Sequence, residues 1–506
     1  MSVARLGSGS GLTAVVVRGV GFAASGFVLT NLLTIGVFLA LARLATPQDF
    51  GALAAGSILV NVSAQFVESG LAAALIRTRE GVEEAANTVL VATVAAGAFF
   101  ALLTLAAAPV VGHFFRSGRI TAVAASMSGI VFLRALGLVP NALLQRRFSF
   151  VRRAVVGPLG VLGFGVSAVA AAAAGWGVWA LVLGSYVSVA VDVASTWGFA
   201  RWRPRPRLAS IATWRGLASF GRHIFAADIV MSLGEKVDAA VIGRFLGTAA
   251  LGQYRYAWRA AALPLGAIVN VGGYVLYPAF ASIASEDARL RAAFMRALRW
   301  ISIAGLPASL MLLPLGEPLI VLALGERWRP AGRAVAAMCG FAAGQMYALL
   351  VTEIWKAAGQ PQRLLRLSVG SLLVFVALLL AFLPAGVTGM GAALSLTSLA
   401  AGGYAMASLR SVLGIPARAL FAEIWPPALA ALTSAGTLLL VDRAAVRSAT
   451  HGLPLGLALL LGETVGAVLL YGTLLATIRP RRLAELRELV RLAVARRQAS
   501  PEPVSD

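Results

Sequence analysis

Long apolar windows alternate with short clusters of Arg, Pro, Gly and acids along the whole chain. A helix needs roughly 20 apolar residues to cross a hydrocarbon core about 30 Å thick. By that measure the windows predict about 14 spans, at 19–43, 50–75, 86–112, 120–143, 154–174, 176–199, 216–245, 250–281, 299–320, 331–355, 367–385, 387–409, 421–441 and 453–477. The windows are continuous rather than alternating residue by residue, which excludes a transmembrane barrel.

The punctuation carries a pattern of its own. In "ARLATPQDFG", Ala42 to Gly51, Pro47 cannot continue a helix, Asp49 can offer an oxygen to the amides of the next helix, and Gly51 permits close helix approach. A weaker echo, "GRFLGTAALG", spans Gly243 to Gly252. Arg43 to Gly51 and Arg244 to Gly252 have the same length, and each ends on a large apolar residue followed by Gly. Like corners after spans one and seven imply a parallel repeat about an axis along the membrane normal. The fold class expected is therefore an all-α polytopic membrane protein, with about 14 transmembrane helices in two pseudo-symmetric six-helix lobes plus two C-terminal helices. Residues 1–200 form the N-lobe, 201–215 a basic inter-lobe linker, 216–410 the C-lobe, 411–478 the last two spans and 479–506 a tail. "RWRPRPR", Arg201 to Arg207, serves equally as that linker or as an ordinary basic anchor.

Composition rules out the soluble classes. Of 506 residues, 59% are hydrophobic and 13% charged, and the mean hydropathy is +0.84; a water-soluble domain keeps a far more charged surface. The net charge of +22 calls for no nucleic acid, because most arginines sit in short connections on one side, with roughly a third as many on the other. This positive-inside bias puts both termini on the cytoplasmic side of the membrane, with the first helix an uncleaved insertion signal. The single cysteine, Cys339, excludes an internal disulfide. In "RPRRLAELRELVRLAVARRQ", Leu483, Leu486, Val490 and Ala493 recur at helical spacing, as in an amphipathic helix lying on the anionic inner leaflet.

No catalytic constellation stands out. His113, His223 and His451 are scattered, no paired metal-ligand spacing occurs, and no extended outer loop could house a glycosyl-transfer site. Neither a metal nor a cofactor is expected. Charge inside the spans is the stronger signal, since an Arg or Asp at mid-helix costs roughly 2.5–3.5 kcal/mol to insert and needs a partner or a watery cavity. Span seven carries Arg222, Asp228, Glu235, Lys236 and Asp238, with the three acids near one helical face. Arg134 lies in span four, Arg255 and Arg259 one turn apart in span eight, Gln65 and Glu68 in span two, and Gln345 and Glu353 in span ten. Arg222 and Arg255 also suit snorkelling to the interface, Lys236 an ion pair within its own helix, and Glu68 and Glu353 a bridge between helices.

"LARLATPQDFGALA" (Leu41 to Ala54), "VESGLAAALIRTRE" (Val67 to Glu80), "NALLQRRFSFVRRA" (Asn141 to Ala154), "VDAAVIGRFLGTAALGQYRYAWR" (Val237 to Arg259), "LYPAFASI" (Leu276 to Ile283) and "VLALGERWRPA" (Val321 to Ala331) follow in an order and spacing that carry a resemblance. The chain resembles the Wzx-like oligosaccharide flippases of the polysaccharide-transporter family, in the superfamily that includes the MATE exporters. It departs from them at "GRHIFAADIVMSLGEK" (Gly221 to Lys236), which carries extra charges.

The resemblance implies flipping of a polyprenyl-diphosphate-linked oligosaccharide by alternating access, for surface polysaccharide synthesis. Arg134, Arg255, Arg259 and Arg222 would hold the diphosphate, since guanidinium forks suit its oxygens. Asn31, Gln65 and Tyr256 would meet sugar hydroxyls. Asp228, Glu235, Lys236, Asp238, Glu68 and Glu353 would pair with those arginines or carry a coupling proton or sodium ion. A monomer suffices in principle, with a polysaccharide polymerase as a possible partner. The alternatives are a cation-coupled MATE-type exporter, disfavoured by the deep arginines, and a membrane glycan polymerase or ligase.

Overall fold

A computed structural model of the protein describes residues 29–68, 71–78, 80–146, 150–218, 237–263, 265–266, 276, 279–360 and 362–478. Most of these residues are helical, with no strand among them. Ten of their helices are long and apolar enough to cross a membrane, or 11 if one bent pair counts as a single span. They coincide with the expected spans two to six and ten to fourteen, and the bent pair with span nine. The expected spans at 19–43, 216–245 and 250–281 lie partly outside the described residues, as does the whole tail from 479, including its amphipathic helix.

The chain divides into two compact units, Met1–Arg255 and Tyr256–Asp506. The first contains α1 (Leu29–Leu44), α2 (Pro47–Glu68), α3 (Leu71–Arg77), α4 (Val82–Phe114), α5 (Gly118–Arg146), α6 (Phe150–Ala173), α7 (Val178–Ala200), α8 (Val237–Phe245) and the start of α9 (Gly247–Ala261). α5 is its hub and packs on α2, α4 and α7. Ile120, Val123, Ile130, Val131, Ala135 and Val139 on α5 are at most 2% exposed, the buried stripe that 3.6-residue periodicity produces. α4 and α5 pack closely: a Cβ on Gly97 would lie 2.5 Å from the Ala135 methyl.

The basic connection after α7 is a strap rather than a free linker. Arg205 N–H donates to Asn87 Oδ1 at 2.5 Å and Ser210 N–H to Thr88 Oγ1 at 3.0 Å. The Thr213 hydroxyl donates to Glu84, and Arg205 also pairs with Glu83 at 3.3 Å. The strap thus uses side chains at the start of α4 to satisfy backbone amides that belong to no helix.

The second unit contains α10 (Asp287–Leu310), α11 (Leu312–Leu324), α12 (Arg329–Ala337), α13 (Phe341–Ala357), α14 (Gln362–Ala381), α15 (Gly386–Leu413), α16 (Ala417–Val441) and α17 (Leu453–Ile478). α10 and α11 are bent by 46° at Met311, between Pro307 and Pro314, in a stretch where proline removes helix-bonding amides. The core gathers Phe294, Leu298, Leu350, Ile354, Trp355 and Leu409 from α10, α13 and α15. α13 crosses α15 at backbone contact: a Cβ on Gly344 would lie 2.1 Å from the Ser398 carbonyl carbon. The C-terminal pair, α16 and α17, packs onto α10 and α11, with the Tyr471 hydroxyl donating to the Ile303 carbonyl at 2.8 Å.

α10 begins at Asp287, well before the expected start of span nine, so Arg289, Arg291 and Arg296, which precede that span, are helical. Counting apolar residues misses such a start, because a helix that leaves the hydrocarbon turns polar without ending.

Candidate functional site

Three constellations in each unit use the charges that lie within or beside apolar helices. The first is the corner between α1 and α2. Thr46 precedes Pro47, which suits the first helical position because its missing N–H would be unpaired there anyway. Asp49 Oδ2 accepts the Thr46 N–H at 2.9 Å and its hydroxyl at 2.7 Å, while the Asp49 N–H reaches Thr46 Oγ1 at 3.3 Å. This is a reciprocal capping box with Asp in the acidic position. The other carboxylate oxygen accepts from Arg119 at 2.5 Å, joining α2 to the start of α5. Asp49→Ala removes the cap and leaves Arg119 without this partner; the expected loss is about 1–2 kcal/mol of stability, read as a lower melting temperature of the purified protein, with Asp49→Asn intermediate.

The echoed corner meets this one directly. A Cβ on Gly51 would lie 1.7 Å from the Thr248 carbonyl oxygen, and one on Gly252 would lie 1.9 Å from the Pro47 carbonyl oxygen. The two contacts are reciprocal: in each, the glycine faces the carbonyl four residues before the other glycine. The first turns of α2 and α9 therefore touch backbone to backbone, a contact that only glycine permits.

The second constellation lies between α5, α6 and α7. Asp192, on α7, stands in the electrostatic field of Arg134 on α5. Its Oδ1 is buried without a hydrogen-bond partner and sits over Gly160 of α6, where a Cβ would come within 2.1 Å of it. Arg134 is half-buried. Asp192 is absent from the charges singled out in the sequence, although an isolated acid in "SVAVDVAST" has the signature of an intramembrane functional residue.

Of the other expected site residues, the structure brings Asp238 and Arg255 together: their side chains are 3.9 Å apart, and the fully buried Tyr254 lies beside Asp238. Tyr256 is 8% exposed and packs its ring 4.3 Å from that of the fully buried Trp328. Arg259 is accessible on α9 and lies within electrostatic reach of Tyr256. Asn31 on α1 and Gln65 on α2 are half-buried. Glu68 ends α2, its side chain outside the described set. Arg222, Asp228, Glu235 and Lys236 also lie outside the described residues.

In the second unit, Glu353 is 4% exposed and pairs with Lys356 one turn away at 2.8 Å. Two ion clusters there were not evident from sequence. Arg299 on α10 meets Glu423 on α16 at 3.2 Å, with side chains 27% and 10% exposed. Arg329 bridges Glu317 at 2.5 Å and Glu326 at 2.7 Å, with Arg333 3.5 Å from Glu317. Among the described residues no group of three or more His, Cys, Asp or Glu side chains could hold a metal ion.

The chain matches known proteins in both sequence and fold. It is 27% identical over 297 residues to the succinoglycan biosynthesis transport protein ExoT of Rhizobium meliloti (strain 1021), covering 57% of this chain and 58% of that protein. It is 25% identical over 294 residues to the lipopolysaccharide biosynthesis protein WzxC of Escherichia coli (strain K12), covering 57% and 59%. These matches span less than two thirds of either relative. In fold, the chain is similar to the lipid II flippase MurJ in an inward closed conformation, with a TM-score of 0.72 at 14% identity, covering 91% of this chain and 100% of that one. It is also similar to an inward-facing multidrug resistance MATE family transporter, with a TM-score of 0.59 at 15% identity, covering 76% and 94%. The family described as "Polysaccharide biosynthesis protein" matches residues 40–333. That match takes in both glycine corners and most of the apolar helices up to α12, and the chain belongs to this polysaccharide biosynthesis family.

Proposed function

We propose that this protein moves a polyprenyl-diphosphate-linked oligosaccharide from the inner to the outer leaflet of the bacterial cytoplasmic membrane, for assembly of a surface polysaccharide. The observation that carries the reading is the family match over residues 40–333, on a chain built of apolar helices long enough to cross a membrane. The names of ExoT and WzxC, and the fold shared with a lipid II flippase, support it further. Alternating access about a central site is the mechanism that suits such a fold. We place about 14 spans in two six-helix lobes plus the C-terminal pair, with both termini cytoplasmic. A monomer suffices, with a proton or sodium ion as the coupling ion and a polysaccharide polymerase as the receiving partner.

Within this reading Arg134 contributes a cation for the diphosphate, with Asp192 as the counter-charge it leaves when the substrate arrives. Arg255 and Arg259 lie one turn apart on α9 and supply further positive charge; Asp238 neutralises Arg255 in the absence of substrate. Deletion of the gene is expected to accumulate lipid-diphosphate oligosaccharide in the inner leaflet and to abolish the finished polymer. A plasmid copy carrying Arg134→Ala should reach the membrane and fail to restore the polymer, whereas Arg443→Ala, exposed just beyond α16, should restore it. Normal lipid intermediates together with increased drug sensitivity would point instead to an exporter of the MATE type.

A further inference from the structure

Where α4 turns into α5, a cavity of about 890 Å³ is lined by Val110, His113, Phe114, Arg116, Ser117 and Arg244, among others. We propose that this cavity binds a lipid-borne phosphate group, held by Arg116 and Arg244 over the N-terminus of α5.

Charge is the first reason. Three basic residues line the cavity and no acid does. Asp49, the acid of the neighbouring corner, is already engaged by Arg119 and Thr46. Among the described residues no carboxylate lies within salt-bridge distance of Arg116 or Arg244. Gly118, also in the lining, opens α5; the first N–H groups of a 29-residue helix add partial positive charge at that mouth.

The backbone gives a second reason. Arg116 has φ 53°, in the left-handed position that closes α4, and the Ser117 N–H reaches back to the Gly112 carbonyl at 2.9 Å. Glycine is the residue that suits this position, and another L-residue there costs on the order of 1 kcal/mol. Arg201 and Arg447 take the same conformation at other helix ends; at 116 it sets an arginine in the lining of a basic cavity. Arg244 is held from the other side, with its guanidinium 5.8 Å from the centre of the Phe114 ring.

The rim identifies the carrier of the phosphate. Val110 is 70% and Phe114 43% exposed, and both line the cavity. An anion pocket edged with exposed apolar side chains at the end of a membrane-length helix suits a headgroup whose tails stay in the bilayer, rather than a free anion in water. Two sources supply that chemistry: a resident anionic phospholipid, or a prenyl diphosphate such as the cargo proposed above. The inference concerns the cavity itself and holds whether or not the protein is a flippase.

The test is native mass spectrometry of the full-length protein in detergent, titrated with phosphatidylglycerol, with geranylgeranyl diphosphate and with zwitterionic phosphatidylcholine as reference. Arg116→Gln/Arg244→Gln should weaken binding of at least one anionic probe by about 10-fold or more and leave phosphatidylcholine unchanged. Arg443→Gln, which removes one exposed charge elsewhere, should change nothing. Loss confined to geranylgeranyl diphosphate assigns the site to a prenyl diphosphate, and loss of phosphatidylglycerol binding to a resident lipid. Equal binding of both anionic probes by the double variant and the parent would overturn the proposal, as would an equal loss in Arg443→Gln. If the double variant does not fold, Arg116→Lys/Arg244→Lys decides: charge is kept but the bidentate fork is lost, so anionic binding should fall partway, and parental affinity would count against the site. Because the assay requires no transport, its failure would leave the flippase reading to the deletion experiment.

Discussion

Gly51→Ala and Gly252→Ala are each expected to destabilise the protein by about 1–3 kcal/mol, the usual cost of overpacking. Helix propensity pulls the other way, since Ala in place of Gly in a helix gains up to about 1 kcal/mol. The contact decides the sign. A new methyl would stand 1.7 Å from the Thr248 oxygen in one variant and 1.9 Å from the Pro47 oxygen in the other, and these are backbone atoms that cannot swing aside like a flexible side chain. The starts of α2 and α9 must therefore separate. Once either methyl has forced that separation, the second meets less resistance, so the double variant should lose less than the sum of the singles. Gly36→Ala in α1, where a Cβ meets nothing within 4 Å, should be neutral or slightly stabilising. Thermal melting of the purified variants gives the comparison, and full additivity at 51 and 252 would show that the two glycines do not share one contact.

Breaking the Arg299–Glu423 pair is the second large effect. Both side chains are mostly buried, at 27% and 10% exposed, so removing one leaves the other a charge with little water to replace its partner. Glu423→Ala and Arg299→Ala should each cost about 3 kcal/mol. Arg299→Met/Glu423→Leu should cost much less than either, because paired desolvation consumes most of what the attraction supplies. The pair joins α10 to α16, so the single variants should also loosen the C-terminal helices, seen as faster proteolysis between α16 and α17. If the double replacement proved as damaging as the singles, packing rather than charge would be the source of the loss.

Much of the architecture was legible in the sequence, because the bilayer demands about 20 apolar residues per crossing whatever else a helix does. Spans two to six and ten to fourteen follow from that demand alone. Helix starts outside the hydrocarbon do not, as α10 demonstrates: a polar first half and an apolar second half make one helix. The "TPQD" corner could be read as a cap, and the capping box agrees with that reading. Its contact with the echoed corner could not, since periodicity within two segments says nothing of which carbonyl each glycine will face. The site was less legible. Clustered charges mark span seven, whereas Asp192 is a single acid whose surroundings come from Gly160 and Arg134 on two other helices. Tyr256, chosen for its hydroxyl, is packed through its ring against Trp328, more than 70 residues away in sequence.

The two glycine corners have the form of an isologous contact, in which each partner presents the same patch and receives the other's in return. Here one polypeptide supplies both patches, at the Gly51 and Gly252 turns. "TPQDFG" carries an acid that reaches across to Arg119, whereas "GTAALG" has none, so the reciprocity of the two corners rests on their backbones and not on their side chains.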